Sequence, residues 1–507
     1  MKLIKSLLPV ILSALLLSIS RIPLHLGFVA FVAFLPLMCF FDREYHRPWK
    51  LLVASSLFAA IFIGIVLSWI SEVTPGGLVG IFVVFALYYW LIFYAIQRIW
   101  HRLPRYRYLG FIALFAAFEY SLNFTEMRFP WFNIAYGLAD YNVLLQALDL
   151  VGTIGLSALV LLVNVLLREV RIKPKASVAA LVLVFGLWLG YGAWSYKRIE
   201  LKEHDARIFV MQPSISQETK WDEEFFGSIL KVYDKLTAKA AADSARLIIY
   251  PEAAMPVYLL REGGQIVFLQ RLMRDHDLDI FTGFPDFLPA PQGYHYPNYY
   301  YNAAALFTKD MSPVDPYYKN ILVPVGERML WLDKFPFLWK LEFGQANWEF
   351  GREQKWYKSG AYEFSPSICY EIAFAELHQK MAIPRDPKTG KLRKTDYLVN
   401  ITNDAWFGTS YGPWLHGIMT RYRAIENRIQ IYRSAQTGIS MIIDPLGRTL
   451  AKTKLFEETN ITAPLYTTGE IPLYRRIYRF PVLFCLIAII LFVIACLPKR
   501  GEHERRS

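Results

Sequence analysis

Phe364-Ser-Pro-Ser-Ile-Cys-Tyr-Glu371 places a cysteine where an apolar, strand-like run gives way to a helical pattern. A thiol at a helix N-terminus meets the positive end of the backbone dipole, which favours the thiolate, so this turn is a candidate nucleophile position. Taken alone, a lone cysteine in such a stretch is more often a buried structural one. The other three cysteines, Cys39, Cys485 and Cys496, lie inside apolar runs, and no spacing among the four resembles a metal site or a disulfide framework.

Outward from this stretch, between Lys197 and Arg479, short β-rich runs alternate with helical ones. The expected strands are Ala206–Met211, Arg246–Tyr250, Ile280–Gly283, Ala303–Phe307, Tyr362–Ile368, Tyr397–Ile401 and Gly438–Ile443. The expected helices are Glu223–Ala240, Gly264–Arg274, Glu371–Met381 and Gly417–Ile431. This is the pattern of an α/β domain. From Arg328 to Lys358 the chain is aromatic-rich without clear periodicity, the mark of a functional loop such as a lid or binding arm.

The flanks are of another kind. Of the 507 residues 54% are hydrophobic and 19% charged, and the excess sits in apolar runs close to the length that crosses a bilayer. Eight crossings are expected: Leu7–Ile19, Leu24–Phe41, Leu51–Ile70, Leu78–Ile96, Tyr108–Leu122, Gly155–Leu167, Val178–Trp194 and Phe480–Leu497. Phe129–Leu150 reads as re-entrant or interfacial, and the first apolar run as a retained helix rather than a cleaved signal, because Arg21 and Pro23 lead directly into the next.

Lysine and arginine collect in alternate segments: the N-terminus, the loops at 42–50, 98–107 and 168–175, and the tail. These hold 17 basic residues against five acids, which accounts for the whole formal charge of +12. Short cytoplasmic loops are enriched in this way, so both termini are expected inside and the α/β block outside. The charge is then a topology signal, and a nucleic-acid partner is not expected. The expected organisation is residues 1–196 with transmembrane helices 1–7, residues 197–479 as an extracytoplasmic catalytic domain, and residues 480–507 with helix 8 and a basic tail.

Two further residues in the α/β block carry chemistry. Glu252, in Tyr250-Pro-Glu-Ala-Ala-Met-Pro256, follows an expected strand; beside a thiol it serves as general base if burial raises its pKa, and in isolation it reads as a solvated loop acid. Lys319 opens Lys-Asn-Ile-Leu-Val-Pro-Val-Gly-Glu327, a segment more apolar than a surface lysine usually occupies. Its ammonium suits an oxyanion, and its plain reading is a snorkelling side chain.

Glu, Lys and Cys in this order, each at a strand end or loop, resemble the catalytic set of the carbon-nitrogen hydrolase (nitrilase) superfamily. The resemblance implies an αββα sandwich with Glu252, Lys319 and Cys369 as the triad. Longer stretches resemble the apolipoprotein N-acyltransferase family. They are Glu119, Phe129-Pro-Trp131, Tyr136-Gly137 and Asp149–Gly155 in the apolar part, and Tyr250-Pro-Glu252, Tyr301-Asn302, Leu322-Val-Pro324, Gly326-Glu327, Ile368-Cys-Tyr-Glu371, Asn403–Gly408 and Thr437-Gly-Ile-Ser440 outside it. The family likeness implies that Glu327 assists in the site, that Tyr370 and Glu371 shape the nucleophile's surroundings, and that Trp221, Asn302 and Trp406 meet substrate. Departures occur at Gly326-Glu-Arg-Met-Leu330, at the basic insertion Arg385–Lys394 and at Ser434-Ala-Gln436; none touches the triad.

By that resemblance the chain is a monomeric acyltransferase of a bacterial inner membrane, with its catalytic domain on the periplasmic side. An acyl chain passes from a phospholipid, phosphatidylethanolamine, through a Cys369 thioester to the α-amino group of a diacylglyceryl apolipoprotein in a ping-pong reaction without cofactor or metal. Two rivals stay open: a membrane-tethered amidase in which water resolves the acyl-enzyme, and a non-catalytic lipoprotein-binding or transport protein.

Overall fold

A computed structural model of the chain describes residues 2–217, 223–261, 263–310, 312–340 and 346–498. Two compact units form, residues 1–193 with 477–507 and residues 194–476. Helices of the first are Lys2–Ile19 (α1), Leu35–Arg43 (α2), Pro48–Val66 (α3), Pro75–Arg102 (α4), Arg107–Ser121 (α5), Leu148–Glu169 (α6), Pro174–Arg198 (α7), which runs on into the second unit, and the C-terminal helix Pro481–Cys496. Four of them, α3, α4 from Gly76, α6 and α7, are long and apolar enough to cross a membrane, and Lys5–Ile19 and Pro481–Cys496 are shorter apolar helices. This is a helical membrane protein. Basic loop ends meet on one side, where Asp42 pairs with Arg168 and Arg107, and Arg107 lies 3.6 Å from Glu169.

The second expected crossing, Leu24–Phe41, is not one helix. A 3-10 turn at Gly27–Phe31 precedes α2, whose first turn holds Pro36, a residue with no N–H to give to a preceding turn. The break exposes backbone groups that hydrocarbon cannot satisfy. Asn164 of α6 takes both sides of it: its Oδ1 accepts from the Phe34 N–H at 2.9 Å and its Nδ2 donates to the Ala30 carbonyl at 2.9 Å. Within Phe129–Leu150 the chain likewise forms buried 3-10 turns, Pro130–Phe132 and Ile134–Leu138, followed by the short helix Asn142–Leu145. Glu119 accepts from Ile134 N at 2.7 Å, Ser157 from Ala135 N at 3.0 Å, and Arg21 donates to the carbonyls of Asn133 and Trp131 at 2.8 and 2.9 Å.

The second unit is a four-layer αββα sandwich. Its strands are β1 (Lys202–His204), β2 (Ile208–Gln212), β3 (Leu247–Ile249), β4 (Asp279–Pro289), β5 (Asn298–Phe307), β6 (Tyr317–Tyr318), β7 (Tyr357–Ser359), β8 (Tyr362–Ile368), β9 (Tyr397–Thr402), β10 (Gln430–Ala435), β11 (Met441–Ile443), β12 (Thr449–Lys452), β13 (Thr459–Thr462) and β14 (Leu465–Thr467). One sheet has the order β13-β2-β3-β4-β5-β6, the other β12-β11-β10-β9-β8-β7, while β1 pairs with β14. In each sheet the central strands, β2-β3-β4 and β8-β9-β10, run parallel. Between the sheets Phe281 meets Phe364 edge to face at 5.2 Å. Helices α8 (Glu223–Ala242) and α9 (Gly263–His276) cover the first sheet, while α10 (Ala375–Ala382) and α11 (Gly412–Asn427) pack on the second.

Two expected helices change. Glu371–Met381 splits into a 3-10 turn, Cys369–Ala373, and α10. Gly417–Ile431 ends at Asn427, where Arg428 turns left-handed (φ 50°), and the chain re-enters the sheet as β10, which the sequence reading lacked. All six β10 residues are buried, Arg433 among them, so no alternation marks the strand.

Candidate active site

Parallel strands deliver side chains at their C-terminal ends, and three such ends build the site. β3 runs into Pro251 and Glu252, β8 into Cys369, and β9 into Asn403. Lys319 arrives from the neighbouring edge, directly after β6, with its N–H donating to the Asn302 carbonyl on β5 at 2.9 Å. Two non-glycine residues here are left-handed, Ala253 (φ 47°) and Cys369 (φ 50°). Such backbone costs energy and persists only where the surroundings over-determine it.

Glu252 is buried and fully engaged. Its Oε1 accepts from the Asn302 amide at 2.7 Å and lies 3.4 Å from Lys319 Nζ, while Oε2 accepts from the Asn403 N–H at 2.8 Å. Lys319, 1% exposed, donates to Glu327 Oε1 at 2.8 Å, and Glu327 Oε2 in turn accepts from Val323 N at 2.8 Å. The Asn302 amide also reaches Glu327 at 3.2 Å, so it ties the two carboxylates together. Gly283 of β4 allows this packing, because a Cβ there would lie 2.9 Å from Glu252 Cα and 2.8 Å from Ala253 N.

The electrostatics follow from burial and these neighbours. Burial lowers the Lys319 ammonium's pKa, but Glu327, Glu252 and Cys369 outweigh it and hold the group above the ordinary lysine range. The Cys369 thiol is raised, first by burial and then by Glu252, with Lys319 opposing. These shifts favour a neutral thiol beside a charged lysine. The sequence-based expectation was of a helix N-terminus that favours the thiolate. Cys369 opens a five-residue 3-10 turn whose dipole is short, and desolvation dominates.

Glu371, fully buried, joins the lysine and cysteine segments. It accepts from Asn320 N at 2.6 Å, Ile321 N at 3.1 Å, Ile368 N at 2.7 Å and the Tyr317 hydroxyl at 2.9 Å; burial pushes its pKa up to about 7 against the pull of those donors. Tyr370 is buried with its ring edge-on to Phe374 at 5.2 Å.

The structure thus brings Glu252, Lys319, Cys369, Glu327, Glu371 and Asn302 into one connected cluster. Asn302, expected to meet substrate, donates its Nδ2 to the two carboxylates. Trp406, 49% exposed on the 3-10 turn Asp404–Phe407, stands on the loop just beyond Asn403. Trp221 lies outside the described residues. The basic insertion ends in a half-buried residue: the Lys394 ammonium donates to the carbonyls of Arg428, Thr468 and Glu470 at 2.6, 2.9 and 2.8 Å. Sequence reasoning missed the Asn403 backbone donor and the close approach at Gly283. The motif Asn403–Gly408 carried the first without its reason, and nothing local to Gly283 signalled the second. Among the described residues no group of three or more His, Cys, Asp and Glu side chains is placed to hold a metal.

Comparison with known proteins gives two domain matches. Residues 209–472 match the carbon-nitrogen hydrolase family, and residues 13–166 match the apolipoprotein N-acyltransferase N-terminal domain. Proteins named apolipoprotein N-acyltransferase are similar over much of the chain. The one from Geobacter metallireducens is 32% identical over 69% of this chain and 66% of its own length, and that of Rickettsia prowazekii 30% identical over 76% of both. The Chlorobaculum tepidum protein is 29% identical over 97% of this chain and 96% of its own. Among solved structures, a CN-hydrolase superfamily protein from Xanthomonas campestris resembles 56% of this chain and 97% of its own, at 18% identity and a TM-score of 0.37.

Proposed function

This chain belongs to the apolipoprotein N-acyltransferase family, within the carbon-nitrogen hydrolase superfamily, and we propose from that premise that it moves an acyl chain from a phospholipid to the N-terminal amine of a diacylglyceryl apolipoprotein. The observation that carries the reading is the cluster in which Lys319 bridges Glu252 and Glu327 beside the left-handed Cys369.

In the first half-reaction Glu252 takes the thiol proton as Cys369 Sγ attacks the ester carbonyl of phosphatidylethanolamine. The charge that develops on the carbonyl oxygen is met by the Lys319 ammonium. As the intermediate collapses, the S–C bond is complete, the C–O bond breaks, and Glu252 returns its proton to the departing lysophospholipid hydroxyl. In the second half the lipoprotein amine attacks the thioester; the C–N bond forms, the C–S bond breaks, and the amine's proton passes by way of Glu252 to the Cys369 thiolate. The exchange of thioester for amide runs downhill without a further energy source. Glu327 holds Lys319 against the site, and Glu371 fixes the lysine segment to the nucleophile turn. The catalytic unit works on the outer, periplasmic face of an inner membrane, a reading supported by the lysine and arginine of alternate loops.

Mass spectrometry of the full-length protein incubated with phosphatidylethanolamine tests this. An acyl adduct is expected on Cys369, absent in Cys369→Ala, that passes to an added diacylglyceryl-cysteine peptide. An adduct released only to water indicates a hydrolase, and peptide acylation without any adduct rules out the covalent route.

A further inference from the structure

Cys369 is a non-glycine residue at φ 50°, and something must hold it there. Its own carbonyl shows what does. His416 Nε2 lies 3.2 Å from that oxygen, and the Asn400 amide approaches it at 3.5 Å. His416 Nδ1 in turn accepts from Arg433 Nη2 at 2.9 Å, and Asp404 holds that guanidinium from beside the ring, its Oδ1 2.9 Å from Nδ1. Arg433 closes the brace with an Nη2–H to Asp404 Oδ2 at 2.9 Å and a further bond to Asn400 Oδ1. These four side chains are at most 1% exposed and come from β9, the Asp404–Phe407 turn, α11 and β10. They converge on one peptide group, that of the nucleophile. Gly438 makes room for the brace, since a Cβ there would lie 2.4 Å from Asp404 Oδ2.

We infer that His416, braced by Asp404 and Arg433, is a positioning residue that aims the Cys369 thiol by donating its Nε2–H to the Cys369 carbonyl. The inference rests on the proposed role of Cys369 as nucleophile. A carbonyl only accepts, so Nε2 must carry the hydrogen. Burial, then Arg433, hold the His416 pKa below its ordinary value, so the ring is neutral and Nδ1 accepts from Arg433. Burial raises the Asp404 pKa, but Arg433 outweighs it and holds the carboxylate near 2, so it stays charged and fixes the guanidinium. Clamping the carbonyl also fixes the plane of the Cys369–Tyr370 peptide, with the Tyr370 N–H on the side away from His416. Thiol direction and peptide plane are thus set together, before any lipid arrives.

Two amide variants dissect the contact, because glutamine carries an N–H to about the Nε2 position and asparagine only to the Nδ1 position. The assay follows Cys369 acylation by phosphatidylethanolamine vesicles and transfer to a diacylglyceryl-cysteine peptide, per folded site, on the full-length protein. His416→Gln is expected to keep the acylation rate within about fivefold of wild type, whereas His416→Asn loses roughly 10- to 100-fold in kcat with KM for the vesicle lipid unchanged. A merely structural histidine would give both variants lower melting temperatures and equal rates per folded site, and that result overturns the inference. So does His416→Leu acylating at the wild-type rate. Peptide acylation by wild type without a Cys369 adduct would instead remove the nucleophile reading on which the inference stands.

Discussion

Both units bury charged side chains, and they use them in opposite ways. In the membrane unit Arg21 and Glu119 are each 1% exposed, and each ties down backbone: Arg21 donates to two carbonyls and Glu119 accepts from the Ile134 N–H. In the outer unit Glu252, Lys319 and Glu327 are bonded chiefly to one another and to Asn302, next to a thiol. A charge satisfied by backbone amides holds a chain path that hydrocarbon would otherwise forbid. A charge satisfied by other side chains can change partner or protonation without the backbone moving, which is what acid-base chemistry asks of it. Burial alone does not separate a scaffold from a site; the identity of the partner does.

The sharpest way to break this contrast is to remove the reacting group and a scaffold group in parallel. Cys369→Ala is expected to cost at least about 10³-fold in acyl transfer with little change in melting temperature. Lys319→Met should approach the same loss of rate and also destabilise, because it leaves the buried Glu252 carboxylate and the half-buried Glu327 without the cation between them. Turnover per folded molecule, measured beside thermal unfolding, decides both.

A smaller effect sharpens the contrast at the backbone. Gly283→Ala forces a Cβ against the Glu252 Cα and the Ala253 N–H, atoms that cannot rotate away, and Ile401 Cδ1 is 2.9 Å off as well. Displacing the base by a few tenths of an ångström is expected to lower kcat roughly 10-fold. Gly227→Ala on α8 is the matched control. A Cβ there meets nothing within 4 Å, so that change is expected to leave kcat alone and to stabilise by about 0.5–1 kcal/mol.

On the scaffold side, Glu119→Leu strands the Ile134 N–H and is expected to destabilise by about 1–3 kcal/mol while the rate per folded molecule stays within about twofold. Glu119→Gln keeps an acceptor for that N–H and should lose less than half as much. A collapse of turnover in correctly folded Glu119→Gln would erase the distinction between the two buried clusters.

How far the sequence carries this picture depends on whether the deciding partner is local. Tyr362–Ile368 was legible to the residue because an apolar strand, a turn and a polar helix pattern follow each other within a dozen positions. Glu252 and Lys319 were legible as candidates for the same reason: each sits at the end of an apolar run. The brace behind Cys369 was not. Arg433 lies in a wholly buried strand that periodicity cannot mark, and His416 reads as one of nine scattered histidines. The broken second helix was hidden in the same way, since the side chain that makes the break tolerable, Asn164, stands 130 residues from Phe34. Pattern reports what a residue does to its neighbours in the chain, and these residues act on neighbours in space.

The smallest effect probes a buried polar group of the outer unit that has no part in the chemistry. His378 is 1% exposed on α10; its Nδ1 lies 3.0 Å from the Phe374 carbonyl and its Nε2 3.1 Å from Ser367 Oγ, two residues before the nucleophile. Burial first, then the positive charge of Arg423, lower its pKa from 6.5 to about 3. A depressed folded-state pKa means that only the neutral ring suits the fold, while the unfolded chain takes up a proton near its ordinary pKa. The stabilisation is therefore whole above pH 6.5 and is lost as the pH falls toward 3, at up to about 1.4 kcal/mol per pH unit. His378→Asn keeps a donor near the Phe374 carbonyl but cannot titrate. It is expected to be less stable than wild type at pH 7, with the gap in melting temperature narrowing as the pH drops from 6.5 to 4.5. A gap that stays constant over that range would mean that the ring takes up no proton on unfolding, and that the acid sensitivity of the outer unit originates among its carboxylates instead.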